Sequence, residues 1–317
     1  MIACIRDEYG STYFKRNFYL PEQIRKEAHS GHITFLVAET LSGEIACMLI
    51  LKEFAPEETM CEIASNICRK QYRGYGLAKP FFEYAMDIVK SRHYSAAFCL
   101  PVLFHDITQK LLYRLGLRAT GFVMNVFDME RITHSYQHGR NKKHSQGIQI
   151  MALEKREAGA LYLPAEHVEV CQKVYDSLGV AYRIREGHLG KLPARSKIQT
   201  KQDMLQSSLE IRIHKVGADL PERIEKLHAQ YPLEGRQTAN IFLNSNDRNA
   251  VWAYRRLIEK GYFFTGFKPL CSSREYMVLH NAGEVQIYFQ DYVLTGEFRE
   301  LAEYVGKTRQ KQKEDKR

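Results

Sequence analysis

The run Asn66-Ile67-Cys68-Arg69-Lys70-Gln71-Tyr72-Arg73-Gly74-Tyr75-Gly76-Leu77-Ala78 constrains the fold more than any other stretch of the chain. Residues 61–68 alternate as a strand does, and Leu77, Phe81, Ala85, Ile88 and Val89 recur on one helical face. A strand passing through two glycines into a helix has the shape of a phosphate cradle. Gly74 and Gly76 admit backbone conformations closed to residues with a Cβ, and the N–H groups that open a helix lack intrahelical acceptors and can point at an anion. Pro80 falls in the first turn, where its missing N–H costs nothing. A tight strand-to-helix turn without a ligand would carry the same spacing. Two other phosphate loops are excluded, because there is no G-x-x-x-x-G-K-[ST] run and the turn lacks the third glycine of a dinucleotide fingerprint.

At 317 residues the chain is long enough for two domains, each able to bury a core. Its 46 lysines and arginines exceed 37 aspartates and glutamates, a net charge of +9 that favours a polyanionic partner. Part of that excess lies in residues 307–317, which carry no apolar side chain and are expected to be a disordered basic tail. The seven cysteines, Cys4, Cys47, Cys61, Cys68, Cys99, Cys171 and Cys271, include no C-x-x-C pair and no histidines at zinc-ligand spacing. Reduced thiols, no metal and a cytoplasmic location are expected. No signal segment and no apolar run of membrane-spanning length is present, so no membrane partner is expected.

Residues 1–19 form the least regular part of the front, with Tyr9, Tyr13, Phe14, Phe18 and Tyr19 crowded around Gly10. Such aromatics pack a core edge or wall an acceptor pocket. Pro21 opens a helix through Ser30, and residues 34–39 and 44–51 form a hairpin. Residues 94–102 and 120–128 read as further strands. Between them Ile107, Leu111 and Leu115 share a helical face that ends at Gly116.

The hexapeptide Gln71-Tyr72-Arg73-Gly74-Tyr75-Gly76 resembles the Q/R-x-x-G-x-G/A signature of the GNAT acyl-CoA N-acyltransferase superfamily. The resemblance implies an α/β (α+β) fold, a mixed, mostly antiparallel sheet flanked by helices, with acetyl-CoA as co-substrate. Its pyrophosphate would lie on the amides of Gln71, Tyr72, Arg73, Gly74, Tyr75, Gly76 and Leu77, and backbone N–H around Ile67 and Cys68 would meet the developing oxyanion. Residues 105–117 resemble the second signature, N-x-x-A-x-x-L-Y-x-x-x-G-F, which flanks the CoA arm and implies a cofactor contact at Gln109. Aligned on Gly116, His105 takes the asparagine position and Leu112 the position of the usual tyrosine acid. Tyr113 comes one residue late, a helical rotation of about 100°. Tyr113 and His105 therefore compete as the acid, and Glu62 is the candidate for positioning or deprotonating the amine.

Within the superfamily the likeness is to acetyltransferase modules of bacterial multidomain proteins. It is carried by Tyr9-Gly10-Ser11-Thr12-Tyr13, Tyr19-Leu20-Pro21-Glu22, Glu62, the Arg73 turn, residues 105–109, Tyr162-Leu163-Pro164 and Gly261-Tyr262-Phe263-Phe264. Those modules have a strand before the Tyr-Gly-x-Thr-Tyr segment, so here either another segment fills the sheet edge or the start is truncated. The implied partner is a small-molecule or peptide amine acceptor, with nucleic acid disfavoured and a monomer or homodimer expected. An acyl-CoA-binding regulatory module without turnover is the alternative, which Leu112 favours.

Residues 131–163 read as a connector with one strand at 147–153. Its basic run Arg140-Asn141-Lys142-Lys143-His144 is either a solvated loop or a pair of lysines for the CoA phosphates. An amphipathic helix at 164–177, strands at 209–214 and 238–243, and helices at 220–229, 248–260 and 297–304 then form a second unit, 164–306. The helix-Gly261-x4-Gly266-Phe267 pattern repeats helix-Gly116-x4-Gly121-Phe122. With the first unit at 1–130, that repeat suggests a second, degenerate GNAT-like domain, since no phosphate turn follows Leu117. Trp252, the only tryptophan, is expected in its core.

Overall fold

A computed structural model describes residues 1–53, 59–132, 139–187, 191–271 and 274–315. The strands are β1 (Ile33–Glu39), β2 (Ile45–Glu53), β3 (Met60–Cys68), β4 (Ala96–Cys99), β5 (Arg118–Asp128), β6 (Lys143–Ala152), β7 (Glu157–Tyr162), β8 (Ala181–Arg185), β9 (Lys197–Asp203), β10 (Ser208–Lys215), β11 (Thr238–Asn244), β12 (Phe263–Cys271) and β13 (Arg274–Asn281). The helices are α1 (Ile2–Tyr9), α2 (Pro21–His29), α3 (Ala78–Ser91), α4 (Ile107–Arg114), α5 (Val168–Ser177), α6 (Leu220–Gln230), α7 (Ala250–Glu259) and α8 (Gly296–Glu314). None is long and apolar enough to cross a membrane among the described residues.

Eleven strands join in one mixed, mostly antiparallel sheet, in the order β1-β2-β3-β4-β6-β5-β12-β13-β11-β10-β9, while β7 and β8 pair separately. Within the large sheet only β3–β4 and β10–β11 run parallel. Counted outward from the β5–β12 seam, β6 corresponds to β13, β4 to β11 and β3 to β10. Helices α3 and α6 connect the parallel pairs, and α4 and α7 lead into the seam strands. The repeat read from Gly116 and Gly261 is thus a repeat of architecture, and its equivalent glycines Gly121 and Gly266 are register partners across the seam.

Burial explains the layers. α3 turns Phe81, Phe82, Ala85, Met86 and Val89 inward, the i, i+4, i+8 stripe of an amphipathic helix, onto Leu49, Leu51, Ile63 and Ala97. On the opposite face Cys4 and Ile5 of α1 and the aromatics Tyr13 and Phe18 cover Met48, Ile50 and Ile67. A third cluster runs through the seam, where Phe122 lies 5.5 Å from Phe298 of α8. Side chains finish the seam: Thr265 Oγ1 donates to Phe122 O, and Asn240 bonds both backbone groups of Met124.

Several sequence expectations are corrected here. Residues 2–9 are helical, so α1 covers a sheet face and β1 forms the edge. The strand expected at 94–102 is only β4, because Pro101 and the chain beyond turn away. The strand expected at 147–153 begins at Lys143, and the strands β7, β8, β9, β12 and β13 escaped the sequence reading. The basic connector is not a solvated loop throughout: residues 133–138 lie outside the described residues, Lys142 is exposed, but Asn141, Lys143, His144 and Ser145 are buried. Lys143 is turned inward instead. Its Nζ donates to the carbonyls of Gln206, Ser207 and Arg236 and to Thr238 Oγ1, at 2.7–3.1 Å. The expected disordered tail is the last part of α8 as far as Glu314, where Arg309 stacks on Phe263 at 4.7 Å; residues 316–317 lie outside the described residues.

His167 supplies a pH test of this packing. Its ring stacks on Phe264 at 3.9 Å and its nitrogens bond the hydroxyls of Tyr304 and Tyr254 at 2.8 and 2.7 Å. Burial pushes its pKa down to about 4 from 6.5, against the pull of Glu166. The folded chain therefore resists a proton that the unfolded chain accepts, and stability is lost as pH falls from 6.5 toward 4. That loss is about 3 kcal/mol for this one group. Urea midpoints at pH 7 and pH 4.5 should differ accordingly, and His167→Gln should narrow the gap; an unchanged gap would remove His167 as its source.

Candidate active site

β3 sets the site. Its pairing with β4 is confined to Met60–Glu62 against Ala96–Phe98, and beyond Glu62 the two parallel strands separate. A bulge sharpens the departure: Ser65 and Asn66 together oppose Leu49, and Ser65 takes a left-handed φ of 52°. Such conformations in non-glycine residues are held by their surroundings. Here Ser65 Oγ meets the Tyr13 hydroxyl at 2.7 Å and accepts from Lys15 Nζ at 3.0 Å.

Past Cys68 the chain makes a short 3-10 turn and enters the glycine segment with Gly74 at φ 85° and Gly76 at φ 74°. A Cβ at either position would meet open space, so the glycines are needed for backbone conformation and leave the main chain accessible. The N–H groups of Gly74, Tyr75, Gly76 and Leu77 have no hydrogen-bond partner among the described residues, and they precede the N-terminus of α3. Arg73 is fixed beneath them: its Nε donates to Cys68 O at 3.1 Å and its guanidinium pairs with the buried Glu8 of α1. Lys70 N donates to Asp7 at 2.6 Å, which ties the turn to the same helix.

The turn opens onto a cavity of about 1030 Å³ that follows the β3–β4 divergence into the second half of the chain. Of the residues singled out from sequence, Glu62, His105, Ile67, Cys68, Tyr72, Arg73, Gly74, Gly76 and Leu77 line it. Glu62 is held by Lys52 across the hairpin, Nζ to Oε2 3.8 Å. The His105 ring packs edge-on against Phe104, and burial lowers its pKa, so the neutral imidazole is favoured near neutrality. Tyr9, Tyr13 and Phe14 supply the aromatic wall, whereas Phe18 and Tyr19 pack away from it.

Four expected residues are placed elsewhere. Gln71 is not part of the lining and reaches outward to Glu44, which also binds the Tyr72 hydroxyl. The Tyr75 side chain is exposed, leaving only its backbone at the turn. Gln109 is outside the cavity lining: it is fully buried, with Nε2 donating to Val102 O, His105 O and Val293 O and Oε1 accepting from Thr295 N. Tyr113 is also outside the cavity lining, because the 100° offset carries it to solvent beneath the Arg118 guanidinium while Leu112 takes the buried face.

The sequence reading missed Lys15, Lys52 and Ser65 and the wall contributed by β9 to β12. Lys52 was within reach, since it is the hairpin partner of Glu62. Along β10, Glu210 and Arg212 alternate with Leu209, Ile211 and Ile213, which reveals a polar face but not what it faces. That face joins the cavity, with Glu210 and Arg212 paired at 2.7 Å and Lys201 the register partner of Glu210. Among the described residues no cluster of three His, Cys, Asp or Glu side chains is placed to hold a metal ion.

No family model matches the chain, and no curated protein does. Solved structures similar in fold include a dodecameric spermidine N-acetyltransferase from Vibrio cholerae, at 12% identity and TM-score 0.40, covering 48% of this chain and 85% of that one. The ribosomal-protein-S18-alanine N-acetyltransferase of Escherichia coli matches at 12% identity and TM-score 0.34, over 42% of this chain and 77% of its own. An IAA acetyltransferase from Bacillus cereus ATCC 14579 matches at 17% identity and TM-score 0.35, over 42% and 84%. The first two are N-acetyltransferases and the third is an acetyltransferase.

Proposed function

We propose that this chain is an N-acetyltransferase that binds one acetyl-CoA and acetylates a primary amine by direct attack. The observation that carries the reading is the set of unpartnered amides at residues 74–77, presented by two glycines at the mouth of a deep cavity. Helix N-termini and exposed successive amides favour anions, and a pyrophosphate supplies the oxygens they need.

In the transfer an N–C bond forms at the thioester carbonyl as the C–S bond breaks; the amine gives up a proton and the departing sulfur takes one. Glu62, which lines the cavity, would hold or deprotonate the amine. Backbone N–H at Ile67 and Cys68, beyond the bulge, would face the developing oxyanion. His105, neutral near pH 7, would have to take the amine's proton before it could hand one to the sulfur, and it is the remaining side-chain candidate for that relay, given that Tyr113 faces solvent.

The equivalent turn of the second half supports a stoichiometry of one. Only residues 216–219 join β10 to α6, and the space is filled: Gly217 N donates to Ser196 Oγ, and Asp219 accepts from Ser196 N. A Cβ on Gly217 would lie 2.3 Å from Arg195 C. The second half then acts as a degenerate GNAT-like unit that walls the acceptor end. A regulatory acyl-CoA-binding module is the second reading, favoured by the buried Leu112 where the superfamily pattern has its tyrosine.

Thiol release from acetyl-CoA against pools of amines separates the two. Glu62→Gln should lower kcat by about 100-fold, the usual scale of a positioned base, with acetyl-CoA affinity unchanged. Full activity in that variant would return Glu62 to a structural role, and acetyl-CoA binding without thiol release from any amine would favour the regulatory module.

A further inference from the structure

The acceptor end of the cavity has an unbalanced charge that the transfer chemistry does not require. Five cationic side chains line it, Lys15, Lys52, Lys201, Arg212 and Lys268, against the carboxylates of Glu62 and Glu210. Both carboxylates already have partners: Glu62 has Lys52 at 3.8 Å and Glu210 has Arg212 at 2.7 Å. No carboxylate lies within ion-pair distance of Lys15 or Lys201 among the described residues, and Lys15 donates only to the neutral Ser65 hydroxyl. Lys268 is buried in the same wall, its ammonium 4.4 Å from the Phe98 ring and 5.7 Å from the Phe242 ring.

Burial pushes the Lys15 pKa down to about 8, and Lys52 and Lys201 push it the same way against the pull of Glu62. The surplus positive charge is therefore felt inside the cavity. Glu210 responds in the opposite sense: burial would raise its pKa, but Arg212, Lys268 and Lys201 together hold it below the usual carboxylate range. Five cations that line a cavity against two carboxylates, with Lys15 and Lys201 outside ion-pair distance of either, are the arrangement that a ligand anion completes, whereas a polyamine would add to the repulsion.

We propose that the acceptor is an amine carrying an anionic group, a carboxylate or a phosphate, which seats against Lys201, Lys268 and Lys15 while its amine lies at Glu62. This rests on the acetyltransferase reading and names its substrate class. The same surroundings assist the chemistry, because positive charge nearby lowers an amine's pKa as it does that of Lys15 and so favours the free base that must attack. The phenyl rings of Phe98 and Phe242 leave an apolar strip between the two ends, suited to the carbon chain that joins amine to anion.

The test compares matched amines in the full chain: amino acids against their C-terminal amides, O-phosphoethanolamine against ethanolamine, and spermidine. The anionic member of a pair should be preferred by about tenfold or more in kcat/KM, and the carboxylate and phosphate arms show which anion the site takes. Lys201→Glu, on the exposed side of β9, should erase about tenfold of that preference with acetyl-CoA affinity unchanged. Preference for neutral amines or spermidine would overturn the proposal, as would a preference for anions unaltered in both Lys201→Glu and Lys268→Met. If no amine releases thiol, the acetyltransferase reading fails by itself. The same pairs are then titrated by calorimetry against protein saturated with CoA, where selective binding of the anionic members supports the anion site and its absence overturns it.

Discussion

Replacing Gly266 with alanine should destabilise the whole chain by about 4 kcal/mol, the sum of a strained backbone and an overfilled contact. Gly266 sits at φ 131°, a region that residues with a Cβ rarely enter, and an added Cβ would come 2.3 Å from Gly121 Cα and 2.7 Å from Thr120 O. Neither neighbour is a side-chain tip that can swing aside; both belong to the main chain of β5. The seam would have to open. The main-chain pairing of β5 with β12 rests on one registered pair, so the bonds of Thr265 and Asn240 and the packing of Phe122 against Phe298 would be strained with it. Gly179→Ala makes the control, since that glycine also has a positive φ, 65°, but nothing within 4 Å of its would-be Cβ. It should cost about 1 kcal/mol, the backbone term alone. Equal urea midpoints for the two variants would mean that the seam is not closely packed.

The seam also bears on function, because it holds the wall of β9 to β12 against the β3–β4 opening. Loss of register there moves Lys201, Glu210 and Lys268 relative to Glu62. The internal repeat is thus more than a trace of duplication. One copy has an open turn with free amides; the other has its turn filled by Ser196 and Asp219 and contributes side chains to its neighbour's cavity.

How much of this was legible depended on whether the signal was local. The hairpin β1–β2, the strand β3, the glycine turn and α3 are written in adjacent residues, where alternation, helical spacing and turn glycines decide the outcome. Their boundaries fall within about two residues of those read from the pattern. The Gly121–Gly266 relation was visible as a repeat, although its meaning as an interface needed the sheet order. Failures came where distant segments decide. Lys143 reads as a solvated charge in a basic run, yet the carbonyls of Gln206, Ser207 and Arg236, more than sixty residues away, draw it inside. Residues 307–314 look disordered by composition, but Arg309 lies over Phe263 and the helix continues. Gln109 matched a motif and was read as a ligand contact, whereas in the fold its amide is shared between nearby Val102 and His105 and the distant Val293 and Thr295. The acceptor wall could not be read at all, since β10 shows a polar face without showing its counterpart.

The second large effect is expected at the turn itself, where Gly74→Val and Gly76→Val should each weaken acetyl-CoA binding at least tenfold, about 1.4 kcal/mol. Both glycines occupy left-handed conformations, φ 85° and 74°, which a β-branched side chain does not tolerate. Space is not the obstacle, because neither added Cβ would touch a neighbour. The variant turn must instead rotate its peptide planes, which swings the amides of residues 74–77 away from the cavity mouth and scatters the donors that a pyrophosphate would engage together. Folding should be little affected, because Arg73 remains pinned by Glu8 and Cys68 O on one side and α3 by its buried stripe on the other. The expected signature is accordingly a rise in Kd by calorimetry with a melting temperature lowered by no more than a few degrees, the backbone cost also assigned to Gly179→Ala. Gly235→Val, at φ 58° with open space but far from the cavity in sequence and lining, should leave Kd as it is. Unchanged affinity in both turn variants would take the phosphate site away from residues 74–77, and with it the observation on which the acetyltransferase reading stands.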